Sequence, residues 1–180
     1  CGVPVIPRHV LALPGRDENR SGVLVPDIQF DAVNGVGVTV PSYFSIAPNQ
    51  DATVTAQIFT DVAPLLSGTF RSLDQKGAFQ ITGYATYGSR IAAGASEVSP
   101  DAEEDFRGYF STSGRFVLDD HWTISQSARI VSDRTFLRRY DILDDDSLRS
   151  TINVERTSNP SFYSLAGWAL QTLRRDEQPR

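Results

Sequence analysis

Apolar and polar residues alternate with a period of two through nine stretches of this chain, and in an extended backbone that period sends successive side chains to opposite faces. The stretches are Gly22 to Phe30, Val36 to Ile46, Ala52 to Ile58, Gly68 to Leu73, Ala78 to Tyr87, Arg107 to Leu118, Trp122 to Val131, Leu148 to Glu155 and Phe162 to Leu173. In the second, Val36, Val38, Val40, Phe44 and Ile46 share one side, and Thr39, Tyr43 and Ser45 the other. In the fifth, Phe79, Ile81 and Ala85 oppose Gln80, Thr82, Tyr84 and Thr86. Arg115 and Arg129 fall on the polar side of their strands. A greasy face backed by a wet one suits a wall between lipid and water, and strands of about 9 to 11 residues suit a tilted crossing of the hydrocarbon. The expected fold is all-β and antiparallel: about nine meander strands forming an incomplete transmembrane β-barrel, a part of a larger one.

The joints add a second regularity. Asn34-Gly35 reads as a tight hairpin turn. After it, short connections (Ala47 to Gln50, Asp74 to Gly77, Asp119 to His121, Thr157 to Pro160) alternate with long ones (Thr60 to Ser67, Tyr87 to Asp105, Ser132 to Ser147). Outer-membrane barrels sort their loops in this way, with short turns at the periplasmic rim. A soluble β-sandwich or adhesion-type binding module, the main alternative alongside another barrel such as a porin, has no reason to do so. Tyr43, Phe44, Trp122, Phe162, Tyr163 and Trp168 lie near strand ends, where either an interfacial girdle or an ordinary β-core would use them.

Composition narrows the choice. With 180 residues, 40% of them hydrophobic and 22% charged, the chain can bury one sizeable core. A net charge of -5 argues against a nucleic-acid surface. No run approaches the roughly 20 apolar residues of a spanning helix, so a membrane role falls to strands. The chain has no Met and opens without a basic and apolar leader, so it reads as an excised or processed piece. Cys1 has no internal disulfide partner; a lipid-modified terminus and incidental placement are both open.

Catalysis finds little support. His9 sits in the proline-broken segment Val3 to Leu13, His121 sits in a short turn, and neither accompanies a nucleophile-elbow pattern. No metal-ligand or phosphate-loop spacing occurs, so no cofactor and no metal are expected. Asp141, Asp144, Asp145 and Asp146 lack the glycine and terminal glutamate of a calcium loop and read as a solvated outer loop.

The run Arg20-Ser21-Gly22-Val23-Leu24-Val25-Pro26, then Asn34-Gly35, then Val40-Pro41-Ser42-Tyr43-Phe44-Ser45-Ile46-Ala47-Pro48-Asn49-Gln50-Asp51-Ala52-Thr53 resembles the LptD (organic solvent tolerance protein) family of lipopolysaccharide-assembly outer-membrane proteins. Gly68-Thr69-Phe70-Arg71-Ser72-Leu73, and Val131-Ser132-Asp133 followed by Phe136 and Tyr140, are similar to later segments of that family. The resemblance implies a barrel of about two dozen strands preceded by a periplasmic jelly roll. Residues 1–20 would then be the jelly-roll tail or connector, and 21–180 the N-terminal portion of the barrel. It also implies lipopolysaccharide as cargo, a plug lipoprotein (LptE-like) and a periplasmic bridge protein (LptA-like) as partners, and the outer membrane of a Gram-negative cell as the site of action.

Site expectations follow from both sources. The resemblance implies a lateral gate at the first strand, weakened by prolines at positions matched by Pro26 and Pro41; residue chemistry alone equally allows an edge position for Pro26 and a bulge at Pro41. Tyr43, Thr53, Thr55, Gln57, Thr82, Tyr84, Arg115, Arg129, Arg149 and Asn153 are the expected lumen-facing set. The arginines among them could meet phosphates or pair with Glu155 and loop carboxylates. Ala47, Pro48, Asn49 and Asp51, which with Tyr43, Ala52 and Thr53 carry the family motif, could contact a plug subunit or the periplasmic domain, but their chemistry is that of a turn.

Overall fold

Strands that are apolar on one side and polar on the other satisfy their backbones by pairing edge to edge, and here they join into one sheet. The computed structural model describes residues 21–31, 34–89, 104–133 and 135–173. They form a ten-stranded antiparallel sheet of β1 (Gly22–Val23), β2 (Asp27–Asp31), β3 (Gly35–Ala47), β4 (Gln50–Phe59), β5 (Leu65–Asp74), β6 (Gly77–Ser89), β7 (Glu104–Val117), β8 (Trp122–Val131), β9 (Ser147–Ser158) and β10 (Ser161–Thr172). The order is a meander from β3 to β10, with β1 and β2 both paired to β3, and the sheet is open between that edge and β10. Between β8 and β9 lies one short helix, α1 (Phe136–Arg139).

The sandwich alternative requires a second sheet packed on the apolar side. Among the described residues there is one sheet, and its apolar face is uncovered: Ile58, Leu66, Ile130 and Leu165 are 57%, 54%, 60% and 74% exposed. The chain is the wall of an unclosed barrel.

Several boundaries differ from the sequence expectation; the eighth stretch, for one, runs to Ser158 rather than Glu155 because Arg156, Thr157 and Ser158 pair with β10. The first strand is two pieces, broken at Leu24–Pro26. The fourth begins at Leu65 rather than Gly68, because Leu65 and Leu66 pair with Gln57 and Ala56 and leave only residues 60–64 as a loop. The sixth runs Glu104–Val117, extended by pairing with Gly88 and Ser89 of β6. From β3 onward the short turns lie at one end of the sheet and the longer connections at the other, whereas the short β2–β3 connection lies at the end of the longer ones. Gly35 holds φ +77, and a Cβ there would strike Thr60 and Asp61. The proposed connector 1–20, with Cys1 and His9, and most of the joint from Tyr87 to Asp105 lie outside the described residues.

Candidate functional site

Paired residues in a sheet project to the same face, so the strand register assigns every side chain. One continuous row runs Tyr43, Thr53, Thr69, Thr82, Ser111, Arg129. A second runs Pro41, Thr55, Ser67, Tyr84, Tyr109, Val131. Gln57 pairs with Thr39, Arg115 with Ser125 and Ser125 with Asn153, extending the same face, and alternation along β9 adds Arg149. Every residue expected to line a lumen therefore stands on one side. Thr69 and Thr82 hydroxyls lie 3.3 Å apart, Gln80 Nε2 donates to Thr82 at 3.3 Å, and Asn153 donates to Glu155 at 2.8 Å.

The opposite rows are Phe44, Ala52, Phe70, Ile81, Thr112, Ala128 and Phe116, Ile124, Val154, Leu165. Phe79 stacks tilted against Phe70 and Phe116 at 5.7 and 6.1 Å, so this face is packed with hydrocarbon laterally and left bare above. Trp122 and Tyr163 register on it, both beside Arg156, whose guanidinium lies 5.9 Å from the Trp122 ring centre. Phe162 and Trp168 register on the polar face instead, where Arg149 lies over Trp168 at 5.8 Å. Arg129 reaches a loop carboxylate, Asp145, at 3.3 Å.

Along the edge strand the ladder is interrupted. Gly22 and Val23 pair with Tyr43 and Ser42, but Asp27 pairs with Thr39, so Val25 and Pro26 together face the single residue Val40. The bulge lies at Pro26, and Pro41 itself stays in register with Thr55. Pro41 has a different effect. The Leu24 N–H donates to its carbonyl at 2.8 Å, so the backbone of Pro41 faces the first strand, and its missing N–H removes the reciprocal bond to Leu24. Both prolines thus thin the same seam.

At the short-turn end, Pro48 and Asn49 form the two-residue turn between β3 and β4. Asn49 works beyond its own hairpin: its Nδ2 donates to the Leu73 carbonyl at 2.8 Å and its carbonyl accepts from the Leu73 N–H at 2.9 Å. Asp51 takes a bond from Arg71 Nε at 2.8 Å. Pro48 and Asn49 of the motif are thus the turn, Asn49 and Asp51 fasten β5 to the β3–β4 hairpin, and Tyr43, Ala52 and Thr53 stand within the strands.

At the opposite end the polar face is covered, a feature the sequence reading did not find. Phe136, Leu137 and Tyr140 close over Leu65, Tyr109 and Val131, with Phe59 and Tyr84 packed against the cluster. Beneath them Arg107 is 3% exposed and donates from Nε and Nη2 to the two oxygens of Asp133 at 2.7 and 2.9 Å. Asp133 Oδ1 also accepts from the Thr135 and Phe136 N–H groups, both at 3.0 Å, and from the Thr135 hydroxyl at 2.8 Å. Burial pushes the Asp133 carboxyl up, but the bonds from Arg107 and Thr135 outweigh it and hold it at about 2. Tyr140 donates to the Ala63 carbonyl at 3.1 Å, and Asn34 Nδ2 donates to the Arg139 carbonyl at 3.0 Å. The signal available in the sequence was an apolar Phe136-Leu137 and Tyr140 inside an otherwise charged loop.

Comparison with known proteins agrees with this architecture. The family model described as LPS transport system D matches residues 105–180. LPS-assembly protein LptD of Psychrobacter arcticus is 31% identical over 173 residues, covering 90% of this chain and 17% of that protein. The LptD of Mannheimia succiniciproducens is 30% identical over 141 residues (78% of this chain, 17% of that protein), and that of Albidiferax ferrireducens 42% over 80 residues (44% and 10%). The chain thus spans about one sixth of the curated relatives it matches along most of its length. A two-faced open sheet, the family match across its later strands and relatives that cover nearly all of it identify the chain as a member of the LptD family of LPS-assembly proteins.

Proposed function

We propose that this chain is the wall segment at which lipopolysaccharide leaves the barrel of an outer-membrane translocon: sugars and phosphates pass along the polar face, acyl chains enter lipid through the seam at the first strand, and Pro26 and Pro41 make that seam weak. The single observation that carries the reading is the register, which stands every expected lumen residue on one face and leaves a bulge at Pro26 and an unmade bond at Pro41 along the first strand. An amphiphile needs both media side by side. Arg115, Arg129 and Arg149 are suited to phosphate contact from the polar face. The plug lipoprotein and periplasmic bridge protein implied by the family, and the Gram-negative outer membrane, belong to the same proposal. No catalytic role is assigned: His121 Nδ1 lies 3.0 Å from the Thr157 carbonyl in a short turn.

The test is the full-length protein with Pro26→Val and Pro41→Val combined. Restored pairing should stiffen the seam and reduce lipopolysaccharide at the cell surface at equal protein level; unchanged delivery would remove the prolines from the gate.

A further inference from the structure

Every second residue of a strand turns its N–H and C=O toward the same neighbour. In β8 the odd-numbered residues face β9, and even-numbered Ser132, just past its end, faces β7 and donates to the Gly108 carbonyl at 2.9 Å. Backbone pairing of β8 with β9 runs from Trp122 and Arg156 to Ser127 and Thr151 and stops there, although β8 continues to Val131 and β9 begins at Ser147. The flanking ladders do not stop: β7 stays paired as far as Tyr109 and Val131, and β10 as far as Ser147 and Thr172. The break is confined to one interface, and it leaves the N–H and C=O groups of Arg129 and Val131 without their strand partners.

Side chains take the place of the missing backbone. Ser150 Oγ accepts from the Arg129 N–H at 3.0 Å and donates to the Arg129 carbonyl at 3.3 Å. Gln171 Oε1 accepts from the Val131 N–H at 3.1 Å, and its Nε2 donates to the Val131 carbonyl at 2.8 Å. Gln171 belongs to β10, one strand beyond β9, so its carboxamide imitates a peptide group across the gap. A side-chain stitch differs from a backbone one in a specific way: one rotamer change releases two bonds, and no φ or ψ angle has to move.

We propose that the long-loop ends of β8 and β9 form a second parting line in the wall, latched by Gln171 and Ser150, at which the sheet yields locally while the ladders on both sides hold. It is distinct from the proline seam at the opposite edge, and it requires no assumption about cargo.

Amide hydrogen exchange of the full-length protein in detergent micelles tests it. Ser125 and Ser127 also face β9 and serve as ladder-paired references. The Arg129 and Val131 amides are expected to exchange about tenfold faster than those two. Gln171→Leu should accelerate Val131 by about a further tenfold, and Ser150→Ala should do the same for Arg129, with Ser125 and Ser127 unchanged. Ser150→Ala removes no apolar packing and keeps the test open if Gln171→Leu fails to fold. Equal protection of all four wild-type amides would overturn the proposal, and so would acceleration that spreads to Ser125 and Ser127.

Discussion

Arg107 and Asp133 stand 26 positions apart in sequence, and neither announces the other. Arg107 reads as one more polar-side residue of a strand, and Asp133 as one carboxylate among several near a loop. Only the folded loop brings them together, in a place dry enough that losing one partner leaves an unpaired buried charge. Arg107→Leu should therefore loosen the cap over the polar face by about 3 kcal/mol, read as faster exchange at Phe136 and Leu137. The pH dependence follows from the carboxyl itself. Its pKa is depressed from 3.8 to about 2 on folding, so its contribution is fully present above the unfolded value and lost as pH falls from about 4 toward 2, amounting to about 2 kcal/mol. Cap protection measured from pH 7 to pH 2 should stay flat and then drop in that window, and Asp133→Asn should remove the drop.

At the scale of the strand, the bulge was partly legible. Val23 falls on the apolar side at an odd position, whereas Ile28 and Phe30 fall there at even ones, and such a change of parity within one stretch demands an extra residue. Reading Gly22 to Phe30 as continuous passed over it. The proline chemistry suggested a bulge at Pro41, but the extra residue is on the facing strand, because Pro41 can keep its register by turning its missing donor to the edge. The short turns were legible from Pro48-Asn49, whereas the bond from Asn49 to Leu73 was not, since it joins residues 24 apart. Deleting Val25 should merge β1 and β2 into one register with β3. The expected result is slower exchange across Gly22 to Phe30 in the full-length protein; unaltered exchange would show that the two prolines alone, not the extra residue, set the weakness of the edge.

Across the sheet from β3 to β9, alternation was enough to assign both faces, because pairing copies the side of one residue onto its partner from strand to strand. What it could not supply was the covering of the polar face by α1 or the break between β8 and β9, since both depend on contacts that no single strand contains. The reading of two faces as two media rests on neighbouring residues that differ in little but direction. Ile81 and Thr82 adjoin near the middle of β6, the first in the row with Phe70 and Thr112, the second with Thr69 and Ser111. An arginine on the lipid side of a barrel near its midplane costs about 2 to 4 kcal/mol, whereas a lumen position keeps the charge hydrated. In the full-length protein Ile81→Arg should sharply reduce the amount of assembled, heat-modifiable barrel in the outer membrane, and Thr82→Arg should leave it near the parental level. If both variants assembled equally, the uncovered apolar face would not be meeting lipid, and the membrane wall would have to be given up even though the sheet itself stood.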